Sequence, residues 1–371
     1  MAAKAETKLA AHFATASDGA KLSYYSVGTG NGVLILHGSF TYALLHSELA
    51  VALSPYYTVH VASRRGRGLS GPYPPSVTDL NPHHQPPTTK KHTAAGKSGR
   101  GSSDAQASLD RNGALKLGSE TYTRTYNPAF TSAVIATEVS DIEALIDATG
   151  AVYIISISSG GLLALQTLLQ NPKSPTLSKI RKVVIFEPPI FFTDRPTSCN
   201  LDNLPRFERE FEDGDIAGAA VTAMRIVQLG PKWIPRWLMK VLSSMMFHAQ
   251  DRDVEKKKAS GEEDRGVCTM STLARLIRYD FAVAEGMVAE TGRYEVLSWK
   301  EDDTSRERVE LLLLSGTKSP TFLMEGMSVL RETIRGAKSV VIDGVGHELL
   351  CNGEMRGQPA RAVPTIREFF G

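Results

Sequence analysis

One stretch, residues 152–165, constrains the fold of this chain more than any other. It reads V-Y-I-I-S-I-S-S-G-G-L-L-A-L, so a β-branched and aromatic half that predicts a buried strand changes abruptly into a Leu/Ala-rich helical run. A sharp strand-to-helix turn strains the backbone at its tip and brings helix and strand together, which requires small residues such as Ser156, Gly160 and Gly161. The stretch alone leaves two interpretations open: a nucleophile elbow with Ser158 at its tip, where Ser156 replaces the usual first glycine, or an ordinary Ser/Gly turn.

Further apolar runs of strand length alternate with helical patterns on both sides of this stretch. Strands are predicted over residues 33–36, 57–62, 182–186, 309–314 and 339–342, and helices over 42–53, 128–149, 324–335 and 362–370. The first of these strand runs is apolar on both faces, as expected in the middle of a parallel sheet. Strands and helices in alternation predict an α/β protein with a doubly wound, mostly parallel sheet.

Two long segments interrupt this alternation. Residues 190–300 read as amphipathic helices rich in Met and aromatic residues, which predicts a helical cap inserted after the strand that follows the elbow. Residues 76–121 are rich in Pro, Gly, Ser, Thr and Lys, so they cannot offset their ordering entropy and are predicted to be a mobile insertion. The core is then expected to comprise residues 1–189 and 301–371.

The composition argues against several classes of function. The formal net charge is only +2 over 371 residues, so no overall field attracts nucleic acid. No run reaches the roughly 18 apolar residues of a membrane span, and the first residues lack the apolar core of a signal peptide. Cys199, Cys268 and Cys351 are odd in number and far apart, which is typical of reduced thiols. We therefore expect a cytoplasmic protein.

Two polar clusters are predicted to have no role in catalysis. His83, His84 and His92 lie in the insertion without the spacing of metal ligands, so neither a metal nor another cofactor is expected. Residues 63–72 read S-R-R-G-R-G-L-S-G-P and lack the Gly-Lys-Ser/Thr ending of a phosphate-binding loop. A surface turn after a strand is the favoured interpretation of that segment.

The residues that follow the predicted strands carry the candidate chemistry. Serine is a poor nucleophile at its usual pKa and needs an imidazole as base, and the imidazole needs a carboxylate to fix its tautomer. Ser158 and His347 each follow a predicted strand, in the chain order that the elbow architecture uses. The backbone N–H of Ser159, together with that of Gly38 or Ser39, is expected to hold the oxyanion.

On these motifs the chain resembles the capped α/β-hydrolase family. The motifs are Leu36-His37-Gly38, Arg65-Gly-Arg-Gly, Ser156-x-Ser158-x-Gly160-Gly161 and Gly346-His347. One turn departs from the family, which commonly has Gly-x-x-Asp after the penultimate strand, because this chain has Gly316-Thr-Lys-Ser319 there. A neutral serine cannot stabilise an imidazolium, so the acid of the triad must come from elsewhere or be missing.

The layout is similar to that of the fungal zearalenone lactonase branch of the family. That resemblance implies a glutamate as the acid, placed after the strand that follows the elbow, and a Gly-x-x-Ser-Pro turn in place of the aspartate turn. Glu187-Pro-Pro and Gly316-x-x-Ser319-Pro match both features. The resemblance therefore implies a catalytic triad of Ser158, His347 and Glu187. A buried glutamate paired with one of the arginines at 64–67 is the other interpretation of Glu187.

The favoured function is hydrolysis of an ester or lactone bond in a small hydrophobic, polyketide-like substrate through an acyl-enzyme. A cofactor-free lyase or cyclase that uses the same residues, and a non-catalytic ligand-binding relative, are the alternatives left open. Five aromatic residues are expected to line the substrate pocket: Phe40, Trp233, Trp237, Tyr279 and Phe281. The oligomeric state is not predicted, and a homodimer is among the options.

Overall fold

A computed structural model of the chain describes residues 9–83, 114–117, 120–170, 174–195, 198, 201–230, 233–260, 266–299 and 309–371. Its strands are β1 Ala11–Thr15, β2 Lys21–Val27, β3 Gly32–Leu36, β4 Thr58–Ala62, β5 Ala114–Leu117, β6 Glu120–Thr123, β7 Ala151–Ile157, β8 Lys182–Phe186, β9 Glu310–Gly316 and β10 Lys338–Ile342. Eight of these strands form one sheet in the order β1-β2-β4-β3-β7-β8-β9-β10. The pairs from β4 to β10 are all parallel, so the predicted mostly parallel sheet is confirmed.

Helices cover both faces of the sheet. They are α1 Ser47–Leu53, α2 Pro75–Thr78, α3 Pro128–Thr149, α4 Ser159–Gln170, α5 Leu204–Glu212, α6 Ile216–Ile226, α7 Arg236–Ala259, α8 Met270–Gly286, α9 Thr321–Thr333 and α10 Val363–Phe370. The ends of α3 follow from its sequence, because Asn127 caps the first turn by accepting from the Ala129 N–H and Gly150 ends the helix in a left-handed conformation, φ 64°.

The two faces of each central strand enter two separate hydrophobic cores. Leu34 and Leu36 of β3 pack with residues of α3 and α4, whereas Val33 and Ile35 pack with residues of α1 and α10. All four side chains are buried, as the doubly apolar run predicts, because alternate residues of a strand point to opposite faces. The carboxyl ends of the parallel strands therefore meet along one edge between two helical layers.

The helices α5 to α8 lie between β8 and β9 in the chain and form the predicted cap. Side chains from α6 and α8, including Ala223, Ile277 and Phe281, line a cavity that Ser158 also lines. Gly286 in α8 packs closely on α3, since an added Cβ would meet the Ile135 side chain at 2.7 Å. The cap thus covers the edge of the sheet where the strands end.

The segment 76–121 begins as ordered structure, which corrects part of its prediction. Val77 of α2 is fully buried in the core, and the backbone of β5 pairs with β6 in a short antiparallel hairpin. Residues 84–113, on which most of the predicted mobility rests, lie outside the described residues, as does Cys199. Among the described helices, none combines the length and the hydropathy needed to cross a bilayer.

Candidate active site

The elbow is built by close backbone contacts that only small residues allow. Ser158 lies between β7 and α4 with φ 53°, a left-handed conformation that is costly for a residue with a side chain. A Cβ on Gly160 would meet the Leu36 carbonyl oxygen at 2.6 Å, and a Cβ on Gly38 would meet the Ser158 Cβ at 2.7 Å. The elbow interpretation therefore replaces that of an ordinary turn, because β3 and α4 can approach this closely only without these side chains.

Ser156 occupies the place of the usual first glycine without disturbing the strand. It is fully buried, and its hydroxyl donates a hydrogen bond to the Val184 carbonyl of the neighbouring strand at 2.9 Å. A buried hydroxyl with a partner carries little penalty. The substitution that loosens the sequence motif is thus accommodated by one added hydrogen bond.

Glu187 and His347 meet beside the elbow. The register of β7 and β8 pairs Ile157 with Phe186, so Ser158 and Glu187 are the next residues of adjacent strands. His347 Nδ1 lies 2.7 Å from Glu187 Oε2, and Glu187 Oε1 accepts the Gly316 N–H at 2.8 Å. The carboxylate therefore holds the Nδ1–H tautomer of the imidazole, which leaves Nε2 as its basic nitrogen.

This contact decides between the two interpretations of Glu187. Glu187 is fully buried, and among the described residues it pairs with His347 and with no arginine. The neighbouring arginines have other partners: Arg64 pairs with Glu138 and Asp280, Arg65 with Asp18 and Asp141, and Arg67 with Asp280. The arginine-paired interpretation of Glu187 is thus wrong.

The turn with the unexpected serine contacts Glu187 through its backbone. Ser319 is buried, and its hydroxyl has no hydrogen-bond partner among the described residues. Gly316, which begins the same turn, supplies the N–H that Glu187 accepts. The turn that commonly carries the acid in the family here donates a backbone N–H to Glu187, a carboxylate that follows the neighbouring strand.

Ser158 and His347 border the same cavity, which has a volume of about 190 Å³. Most of its wall is apolar, with Phe191, Phe281 and Phe322 among the larger side chains. Both residues lie in the described part of the chain, where no hydrogen bond joins the Ser158 hydroxyl to the imidazole. Such bonds are often long or unformed without substrate and tighten when substrate binds.

Two backbone N–H groups beside Ser158 are available to a ligand. Within the described residues, neither the Ser39 nor the Ser159 amide donates a hydrogen bond to the protein. The loop that carries Ser39 is held by His37, whose Nδ1–H donates to the Gly38 carbonyl at 2.8 Å while its Nε2 accepts the Arg64 N–H at 3.1 Å. Burial lowers the pKa of His37 well below its usual value, so the ring stays neutral and keeps both contacts.

Only two of the five predicted pocket residues line this cavity. Phe40 and Phe281 do so, whereas Tyr279 stacks on the Tyr73 ring with centroids 3.8 Å apart. Trp233 and Trp237 are 83% and 67% exposed, which corrects their assignment to the pocket. Helical periodicity identifies the faces of α7 without showing which face turns inward; that face carries Met239 and Phe247 instead.

A buried charged cluster, which the sequence analysis missed, lies behind the elbow. We call Arg64, Arg67, Glu138, Asp280 and Tyr73 the arginine cluster. Each of its side chains is at most 5% exposed, so the predicted surface turn at 63–72 is wrong. Desolvation raises the pKa of Asp280, but the charges of Arg67 and Arg64 outweigh it and lower that pKa overall. Asp280 is therefore ionised although it lies on the cavity wall.

Two further titratable groups on the cavity wall, Cys351 and His46, are neutral near pH 7. Burial raises the pKa of the Cys351 thiol to about 12 and lowers that of His46 to about 4. A neutral thiol is a weak nucleophile, so Cys351 does not compete with Ser158.

Elsewhere His83 contacts Glu212 near Glu208, and His84 and His92 lie outside the described residues. Glu208 also pairs with Arg278 and accepts a hydrogen bond from the Tyr126 hydroxyl.

Comparisons with known proteins agree with this fold. A family model described as "Alpha/beta hydrolase family" matches residues 33–362, and no curated protein matches the sequence. An alpha/beta hydrolase from Sphaerobacter thermophilus is 21% identical with a TM-score of 0.59, covering 97% of this chain and 100% of its own. An esterase from Exiguobacterium antarcticum is 16% identical with a TM-score of 0.56, covering 96% of this chain and 100% of its own. At these identities the solved structures support the fold alone.

Proposed function

We propose that this chain, which belongs to the alpha/beta hydrolase family, is a serine hydrolase that cleaves an ester or lactone bond through an acyl-enzyme. The observation that carries the proposal is the 2.7 Å contact between His347 Nδ1 and the buried Glu187, beside a serine at the tip of an elbow. A nucleophile and a base on the wall of one cavity, together with a buried acid that contacts the base, are the parts that this reaction needs.

In the first step the Ser158 Oγ attacks the carbonyl carbon of the substrate. Its proton passes to His347 Nε2, while the π electrons of the carbonyl move to the oxygen and form an oxyanion. Glu187 stabilises the imidazolium without taking a proton itself. The Ser39 and Ser159 N–H groups, which have no acceptor within the described residues, are the proposed donors to the oxyanion. Gly38 allows this close approach, because a Cβ there would meet Ser158.

In the second half the tetrahedral intermediate collapses and the leaving alkoxide takes the proton from His347. The ester bond breaks and the acyl group stays on Ser158. Water then attacks the acyl carbon while His347 accepts its proton. When this second tetrahedral intermediate collapses, the bond to Ser158 Oγ breaks, the oxygen takes the proton from His347, and the carboxylic acid is released. In a lactone the leaving alcohol remains joined to the acyl group, so it stays near the site until water has reacted.

The cavity supports a hydrophobic substrate of modest size. Its wall is mostly apolar, and it is enclosed by the core and by α6 and α8 of the cap. We propose residues 190–300 as the cap and 1–189 with 301–371 as the core, boundaries that the sequence predicts. A cytoplasmic location is a prediction of the same kind.

The experiment is a substrate panel of p-nitrophenyl esters of rising chain length and aromatic macrolactones. We expect the wild type to hydrolyse at least one class, and the matched Ser158→Ala variant to hydrolyse none above background. Hydrolysis by both proteins would contradict the role of Ser158. Conversion of a lactone-like substrate without uptake of water, detected by product mass, would favour the lyase or cyclase alternative instead.

A further inference from the structure

The side chain of Ser159, next to Ser158 in the chain, forms a hydrogen bond to the cap. Ser159 Oγ donates to Asp280 Oδ1 at 3.1 Å, accepts from Arg64 Nη1 at 3.0 Å, and accepts from Ser39 Oγ at 3.1 Å. Asp280 belongs to α8 of the cap, and Ser159 begins α4 of the core. Ser159 and Ser39 carry the proposed oxyanion donors. Through the Ser159 hydroxyl, both residues are thus connected to the carboxylate of Asp280 in the cap.

The arginine cluster holds that carboxylate in one position. Asp280 Oδ1 also accepts Arg64 Nη1 at 2.7 Å, and Oδ2 accepts Arg67 Nη2 at 2.6 Å. Arg64 is itself fixed by two bonds to Glu138, at 2.7 and 3.1 Å, and Glu138 also accepts the Tyr73 hydroxyl. Every group is buried, so these charge-assisted bonds are shielded from water.

Arg64 also restrains the loop of Gly38 and Ser39, which carries the second proposed oxyanion donor. Its backbone N–H donates to His37 Nε2, and His37 in turn donates to the Gly38 carbonyl. The guanidinium and the amide of one residue therefore restrain both Ser159 and the loop of Gly38 and Ser39. An oxyanion hole stabilises the transition state only if its donors are already in position.

We infer that Asp280 is a positioning residue that fixes the proposed oxyanion donors through Ser159, so that the cap completes the hydrolytic site besides enclosing the substrate. The inference rests on the proposed function. Asp280 takes no part in proton transfer, because its partners are arginines and a hydroxyl. Loss of its charge should loosen Ser159 and Ser39 together, which weakens stabilisation of the oxyanion more than binding of the substrate.

The test compares Asp280→Asn and Ser159→Ala with a control on the same helix. Glu285→Gln also removes a buried carboxylate charge from α8, but Glu285 accepts the Thr125 and Tyr126 N–H groups instead. We expect kcat for a p-nitrophenyl ester to fall roughly tenfold or more in the first two variants, with KM within about twofold of the wild type. The control variant should keep the wild-type kcat.

A second readout separates positioning from a general loss of structure. A trifluoromethyl ketone forms a hemiketal when Ser158 Oγ adds to its carbonyl carbon and the resulting oxyanion occupies the oxyanion hole. Its Ki should rise by the same factor as kcat/KM falls, because it resembles the transition state. The Ki of the corresponding alcohol, which cannot react, should stay unchanged. A merely structural defect would weaken both inhibitors or neither.

The possible outcomes distinguish failure of this inference from failure of the proposed function. Wild-type turnover together with unchanged kcat and Ki in Asp280→Asn and Ser159→Ala overturns the inference and leaves the proposed function standing. If Asp280→Asn does not fold, Ser159→Ala alone decides, since it removes the link without unpairing the arginines. Absence of ester turnover and of hemiketal formation in the wild type overturns the proposed function, and the inference with it.

Discussion

Two buried carboxylates support the residues around Ser158, and they differ in the partners they hold. Glu187 binds an imidazole and one backbone N–H, whereas Asp280 binds two guanidinium groups and a hydroxyl. A histidine changes its charge near neutral pH, but an arginine stays protonated. Glu187 is therefore suited to a pair that gains and loses a proton, and Asp280 to a group that is only held.

The two carboxylates also come from different regions of the molecule, the core and the cap. The pair of His347 and Glu187 comes from loops that directly follow strands of the core, as Ser158 does. Asp280 comes from the cap, 121 residues along the chain from Ser159. We therefore expect substitution of Ser158 or Glu187 in the core to abolish most turnover. Substitutions in the cap should lower kcat less or change the preference for substrate size.

The largest effect is expected for Ser158→Ala. Without the nucleophile no acyl-enzyme forms, and kcat for an ester should fall by about 10⁴-fold or more. Steady-state hydrolysis of a p-nitrophenyl ester measures it, with Ser156→Ala as the matched control, since that buried hydroxyl only contacts the Val184 carbonyl. Substantial turnover in Ser158→Ala would contradict the assignment.

The next prediction tests whether Glu187 or the turn at Ser319 supplies the acid. Glu187→Gln cannot stabilise an imidazolium and should lower kcat about 10³- to 10⁴-fold, as the neutral amide does in other triads. Ser319→Ala, at the position where the family commonly has the acid, should change kcat by less than about twofold. The reverse pattern would show that the acid comes from the turn at Ser319.

A third prediction concerns the cap wall. Ala284 of α8 lines the cavity and is buried, so Ala284→Leu should raise KM for bulky macrolactones roughly tenfold while leaving small acetate esters nearly unaffected. Trp237→Ser, on the exposed face of α7, serves as the control and should change neither. An equal rise for large and small substrates would show that the wall does not select by size.

The smallest effect is on stability and depends on pH. Burial lowers the pKa of His46 to about 4 in the folded chain, against about 6.5 when unfolded. As the pH falls from 6.5 toward 4, only the unfolded chain gains this proton, so the free energy of unfolding decreases. His46→Asn should lose about 2 kcal/mol less stability than the wild type between pH 7 and pH 5. Urea unfolding at both pH values measures this, and equal losses would contradict it.

The sequence predicts the sheet and the elbow because both depend on local patterns. The run before Ser158 is apolar on both faces and ends in small residues, so its structure hardly depends on distant parts of the chain. His347 follows from its place after the last strand. Glu187 required the resemblance to a known branch, since a glutamate after a strand has no signature of its own.

The orientation of the cap and the arginine cluster could not be predicted in the same way. Trp233 and Trp237 look like pocket residues in the sequence, and only the packing of α7 shows that they face outward. Arg64 and Arg67 look like surface residues because arginine is rarely buried without partners. Their partners, Glu138 and Asp280, come from two distant helices, so the pairing becomes visible only in three dimensions.

Trapping the acyl group on the enzyme tests whether Ser158 is the nucleophile. The wild type is mixed with a slowly deacylating p-nitrophenyl ester, quenched in acid and digested, and the peptides are analysed by mass spectrometry. We expect a burst of p-nitrophenolate equal to the amount of enzyme and an acyl group on Ser158. Hydrolysis without a burst, or an acyl group on another residue, would contradict it.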